Sequence, residues 1–212
     1  MKIFAPLTRI EEVRPLSDAG ADAFYCGLNL SLDNEIFISN RRPWKRANFD
    51  NIENLLKAND IAKKKGKEIQ FALNEHFYSS DQMKVILRLV EELLNNGINS
   101  FIVADLNLIL KLRKFKNLKL VGSTGLHVFN SNTIEFYKKL GIREFIFPRQ
   151  LTIKERYNLI RKFPDISFES FIKNVGCFNI DGLCYFAHGI WDKEQPMSMC
   201  EKRRKNIAIQ KG

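Results

Sequence analysis

Short apolar runs rich in β-branched and aromatic residues alternate along the chain with longer segments whose apolar residues recur at spacings of three and four. This alternation predicts βα units on a parallel sheet. Seven strands are expected, at 2–5, 23–26, 68–73, 100–103, 119–121, 144–147 and 167–172. Between them, the apolar positions of 51–61 and 83–94 fall on one face of a helix. Ser79 with Gln82, and Thr152 with Glu155, have the spacing of a capping box and mark two helix starts. Gly20, Gly66, Gly97 and Gly141 each close a helical stretch ahead of the next strand. An unbroken run of such units favours an α/β fold of the closed TIM-like barrel type over a doubly wound sheet.

In either architecture ligands sit at the carboxyl ends of the strands, so the residues just after each strand are the ones to read for chemistry. These are Cys26, Asn74, Asp105, Ser123, Thr124, Arg149, Lys173 and Cys177. The segment 27–48 is long for a βα loop and rich in Arg and Asn, which suggests a lid over the strand ends or a plain insertion.

Composition narrows the class. With 45% hydrophobic and 27% charged residues, 212 residues suffice for one globular domain with a full core. No apolar stretch reaches membrane-spanning length and the N-terminus lacks the apolar run of a secretory signal, so the expected location is cytoplasmic, with no membrane partner. The excess of 34 basic over 24 acidic residues attracts anions, RNA among them, and concentrates at 41–46 and 202–205.

In a reducing compartment, four cysteines argue for metal, catalysis or burial over disulfides. Three of them follow the last strand: six residues separate Cys177 from Cys184, and fifteen separate Cys184 from Cys200. Soft thiolates on loops suit an iron-sulfur cluster or zinc, with unrelated buried thiols the plain alternative; the absence of a CxxC pair weakens a zinc ribbon. The remaining Cys26 lies within an apolar strand, a setting more often of packing than of ligation. Of the three histidines, His76 and His127 follow strands and are acid-base or substrate-bonding candidates as well as ordinary loop residues; His188 is the third. No GxSxG, HExxH, P-loop or GxGxxG motif is present.

An ordered set of short motifs resembles the collagenase-like peptidase family U-32 along almost the whole chain. The set comprises Ile3-Phe4-Ala5-Pro6, Asp18-Ala19-Gly20-Ala21-Asp22-Ala23, Arg46-Ala47-Asn48-Phe49, Ala72-Leu73-Asn74, Ser123-Thr124, Arg149-Gln150-Leu151-Thr152, and Cys177 with Gly182 and Cys184. The resemblance implies a TIM-like barrel and, in some branches, a 4Fe-4S cluster held by four cysteines. Those branches hydroxylate a ubiquinone precursor, a tRNA uridine or a ribosomal cytidine without oxygen, with prephenate implicated as oxygen source in some. It further implies metal ligands at Cys177, Cys184 and Cys200, the fourth being absent from this chain or supplied by Cys26. The family's His-Gly before the first cysteine reads Lys173-Asn174 here, and its fourth cysteine and eighth strand find no counterpart.

The barrel is therefore expected to be incomplete, with about seven strands over 1–175, followed by a cysteine loop and basic tail over 176–212. A second family member in a heterodimer, or a separate C-terminal segment, is the expected cover for the open edge. Arg46, Asn48, Asn74, Ser123, Thr124, His127 and Arg149 are the expected substrate residues, with arginines suited to a small anionic co-substrate such as prephenate or to a nucleotide. The functional expectation is an iron-sulfur-dependent, oxygen-independent hydroxylase or a component of one. The alternatives are a non-catalytic shortened paralogue that stabilises a full-length partner, and a peptidase.

Overall fold

A computed structural model describes residues 1–33, 35–37, 39–42, 47–172 and 180–183. Seven parallel strands form one sheet: β1 (Phe4–Pro6), β2 (Ala23–Cys26), β5 (Glu68–Leu73), β6 (Ser100–Val103), β7 (Lys119–Gly122), β8 (Glu144–Ile146) and β9 (Ser167–Glu169), paired in that order. The remaining two, β3 (Leu30–Leu32) and β4 (Glu35–Phe37), make an antiparallel hairpin within the long 27–48 segment, where no strand was expected. Among the described residues six α-helices intervene: α1 (Val13–Asp18), α2 (Ile52–Lys64), α3 (Ser80–Asn95), α4 (Leu106–Leu112), α5 (Ser131–Lys139) and α6 (Ile153–Lys162).

Both expected capping boxes are built. The Ser79 hydroxyl accepts from the Gln82 amide at 3.2 Å while the Gln82 side chain accepts from the Ser79 amide at 2.9 Å. Thr152 and Glu155 repeat the exchange at 3.3 and 2.8 Å. Beyond α5 the chain turns into β8 through Gly141 at φ +102°, a conformation that a side chain would strain.

The strand order has no reversal, which removes the doubly wound alternative. Curvature is equally direct: the Gln70 amide on β5 reaches Glu169 on β9 at 3.2 Å, although these strands stand four apart in the sheet. On a flat sheet that separation would be about 19 Å. The sheet is thus rolled into an incomplete TIM-like barrel. Alternation along each strand sends Ile69, Phe71 and Leu73 of β5, Phe101 and Val103 of β6, and Phe145 of β8 outward into the main core beneath the helices. A smaller inner cluster of Ile102, Val121 and Ile146, with Tyr25 against it, fills the barrel. Among the described residues, β1 and β9 are the two edges, and β9 stops at Glu169 rather than running to 172. Of the expected cysteine loop and tail, only 180–183 is described.

Candidate functional site

The strand-end rim is assembled from the turns that follow β5, β7 and β8, together with two covering segments. After β5, Asn74 donates to the Ser123 hydroxyl after β7 at 3.0 Å, and its carbonyl oxygen accepts the Arg41 amide at 3.0 Å. The same Ser123 hydroxyl accepts the Gly125 amide at 3.2 Å and so shapes the 3-10 turn Thr124–Leu126. Thr124 is half-buried in that turn, and its carbonyl accepts the His127 amide at 3.3 Å. His127 ends the turn at φ +55°, a left-handed conformation that few side chains other than Asn, Asp and His adopt readily. Its ring lies parallel to that of His76, with centroids 5.8 Å apart and 6° between planes. The His127 Nε2 atom is buried and has no hydrogen-bond partner among the described residues.

The segment 39–42 lies over the β1, β2 and β5 ends, as expected of a cover. Arg42 donates to the Tyr25 carbonyl and to the Ala47 carbonyl, each at 2.9 Å, with its guanidinium 4.6 Å from the Tyr25 ring centre. Arg41 approaches Glu75 at 4.0 Å, both side chains nearly buried. Burial pushes the Glu75 carboxyl upward, against the His76 amide and Arg41, and its Oε2 has no hydrogen-bond partner among the described residues. Asn48 is buried against Gly27, where a Cβ would come within 2.3 Å of its side-chain oxygen, and it donates to Asn29 at 3.3 Å. It belongs to the base of the covering segment, beside Asn40, rather than to the Asn74–Ser123 group.

The second cover is the turn at 180–183. Asp181 accepts from the Arg149 backbone amide at 2.8 Å and from Nε at 3.0 Å to each carboxylate oxygen, and a further close contact is made by Nη2. Burial alone would raise the Asp181 carboxyl; the Arg149 fork and amide outweigh it and hold the group below the usual carboxylate range. Next to it, Gly182 at φ +86° lies on the imidazole of His127, where a Cβ would come within 2.6 Å of the ring.

The structure therefore brings Asn74, Ser123, Thr124, His127 and Arg149 to one rim and adds Arg41, met in the sequence only as part of the basic run 41–46, together with Glu75 and Asp181, which sequence reasoning passed over. The Asp181-Gly182 pair carried a turn signal, but nothing in the sequence linked it to Arg149. Asp105, a strand-end residue, proves to be the N-cap of α4, accepting the Leu108 amide. Arg46, Lys173, Cys177, Cys184, His188 and Cys200 lie outside the described residues.

As to a metal, no group of three or more His, Cys, Asp or Glu side chains among the described residues is arranged to hold one. Cys26 is fully buried in the core under the helices, where burial pushes its thiol up to about 12 against the pull of Arg42. That setting disfavours the thiolate a metal requires and suits packing.

Residues 8–206 match peptidase family U32, nearly the full chain. The chain belongs to that family. Among curated relatives it is 27% identical over 210 residues to an uncharacterized protease of Methanocaldococcus jannaschii, covering 94% of this chain and 47% of that protein. It is 25% identical over 199 residues to tRNA hydroxylation protein P of Haemophilus influenzae, covering 92% of this chain and 40% of the relative. This U32 chain thus spans about half the length of the curated relatives it matches. A solved U32 peptidase structure superposes on 80% of this chain and 68% of its own with a TM-score of 0.64 at 13% identity, a likeness of fold. Among the described residues no helix is long and apolar enough to cross a membrane.

Proposed function

We propose that this chain carries the rim site of an iron-sulfur-dependent, oxygen-independent RNA hydroxylation activity, as the enzyme or as one component of it. The observation that carries the reading is the double attachment of the 180–183 turn, Asp181 to Arg149 and Gly182 to His127. In sequence that turn lies between Cys177 and Cys184, so two of three soft donors flank a segment fixed to the ligand face. Membership of the U32 family and the name of the Haemophilus relative support RNA hydroxylation, and the net charge of +10 suits a polyanionic substrate.

A cluster, when bound to Cys177, Cys184 and Cys200, supplies one-electron transfer. The chain's own residues do the rest. Asn74 and Ser123 hold the base of the site, and Thr124 and His127 offer polar groups above it. Arg41, Arg46 and Arg149 favour an anionic co-substrate such as prephenate or the phosphates of an RNA, with Asn48 steadying the covering segment. His127, stacked on His76 and covered by Gly182, carries a buried Nε2 with no hydrogen-bond partner among the described residues.

Two measurements test the reading. Protein purified without oxygen should contain iron and sulfide, lost in Cys177→Ser, and deletion of the gene should remove one hydroxylated nucleoside from cellular RNA. Iron-free protein together with unchanged RNA would sink it. The two sheet edges left by β1 and β9 among the described residues favour a second reading, in which the chain is a non-catalytic family member that stabilises a partner from the same family in a heterodimer. That reading expects colourless protein that co-purifies with such a partner. Proteolysis is the weakest reading, since the rim hydroxyl of Ser123 is engaged by Asn74 and Gly125 rather than by a base.

A further inference from the structure

Beneath the rim, the inward positions of five adjacent strands carry Gln70, Ser100, Lys119, Glu144 and Glu169, a polar layer that the rim chemistry does not use. The Gln70 amide nitrogen donates to Glu144 at 2.9 Å and to Glu169 at 3.2 Å, so one neutral donor group bridges two carboxyls. Held by the same nitrogen, the two carboxyls stand side by side in the barrel interior. Like charges so close oppose double ionisation, which favours a proton on one of the two. Lys119 is ion-paired with Glu144, which fixes where the negative charge stays. Around the pair, Ser100 on β6 is uncharged and buried, Tyr25 on β2 lies among the inner apolar residues, and Lys2 and Glu68 pair with each other at the exposed strand starts.

Glu169 belongs to β9, an edge strand of three residues whose described sheet partner is β8 alone. Among the described residues this strand has further attachments, including a Phe145–Phe168 ring stack at 6.4 Å. The Phe147 amide donates to the Glu169 carbonyl and the Ser167 amide to the Arg143 carbonyl, each at 2.9 Å, and the Phe168 ring stacks on Phe147 at 4.6 Å. We propose that the proton shared by Glu144 and Glu169 through the Gln70 bridge is a latch that ties the last described strand of the barrel to β8, so that strand opening depends on pH.

The sign follows from linkage. Burial and the neighbouring Glu144 push the Glu169 carboxyl up to about 8, whereas on a detached strand it titrates in the ordinary glutamate range. Docked β9 therefore holds one proton more than open β9 between about pH 5 and pH 8, and its attachment weakens as pH rises through that window. Glu144 moves the other way: burial opposes ionisation, but Glu169, Lys119 and Gln70 hold it below its usual range, so it acts only at more acidic pH.

The experiment is amide hydrogen exchange by NMR on the full chain from pH 5 to 9, corrected for intrinsic rates. Opening at Phe147 and Ser167 should rise by up to about tenfold per pH unit towards pH 8 and then level off, as expected for release of one proton. Amides of the β2–β5 ladder should not follow. Glu169→Gln and, separately, Glu144→Gln should each flatten the profile. A flat wild-type profile, a slope that survives both substitutions, or the same slope in the β2–β5 ladder would overturn the proposal.

Discussion

On β5 the residues facing the helices are Ile69, Phe71 and Leu73, all within the main core, whereas those facing inward are Gln70, Ala72 and, past the strand end, Asn74. β8 repeats the division, with Phe145 outward and Glu144 and Ile146 inward. The outer face has helices to bury it and so carries apolar side chains almost without exception. Most inward polar groups must instead find partners on other strands across a narrow interior, which makes them few, specific and mutually dependent. A change outside should therefore lower the stability of the whole fold, and a change inside should act on one neighbourhood.

The largest effect is expected outside. Phe71 is fully buried and meets Phe101 edge-on at 6.3 Å, so Phe71→Ala should lower unfolding free energy by about 3 to 5 kcal/mol in urea titration. If the loss were under about 1 kcal/mol, the assignment of stability to the outer face would fail. Next comes Arg149→Met, which leaves Asp181 buried without its fork. Because Arg149 keeps 30% of its side chain exposed, the cost is discounted to about 2 kcal/mol, and the 180–183 turn should become the first site of limited proteolysis. The wild-type pair stabilises fully above the ordinary aspartate range and is lost as pH falls through the depressed value of Asp181. Thermal melts should therefore converge for wild type and Arg149→Met in acid; parallel curves would break the pairing argument.

Ser123→Ala removes the acceptor for both Asn74 and Gly125 at a buried position and should cost about 1 to 2 kcal/mol. Its distinguishing sign is local, a changed environment for His127 in NMR spectra with little change at the outer helices. The smallest expected effect is Asp105→Ala, about 1 kcal/mol for a lost helix cap, with the NMR environment of His127 unchanged. A shift at His127 would return Asp105 to the list of rim residues.

Patterns that repeat locally could be read from the sequence alone. The seven-strand alternation, the two capping boxes and the glycine ending at 141 depend on residues within one or two turns of each other, and the motif order sufficed to indicate the family. The hairpin at 30–37 escaped because its two three-residue strands follow each other without an intervening helix, so the βα alternation that marked equally short strands elsewhere is missing there. Folding alone decided which residues meet: Arg149 with Asp181, Glu75 with Arg41, Gln70 with two glutamates on β8 and β9. Those partners stand 32, 34, 74 and 99 positions apart. A chain records the identity of each polar side chain, but its partner is set by how far the sheet curls and which covering segment reaches the rim. No pattern of spacing carries that distance.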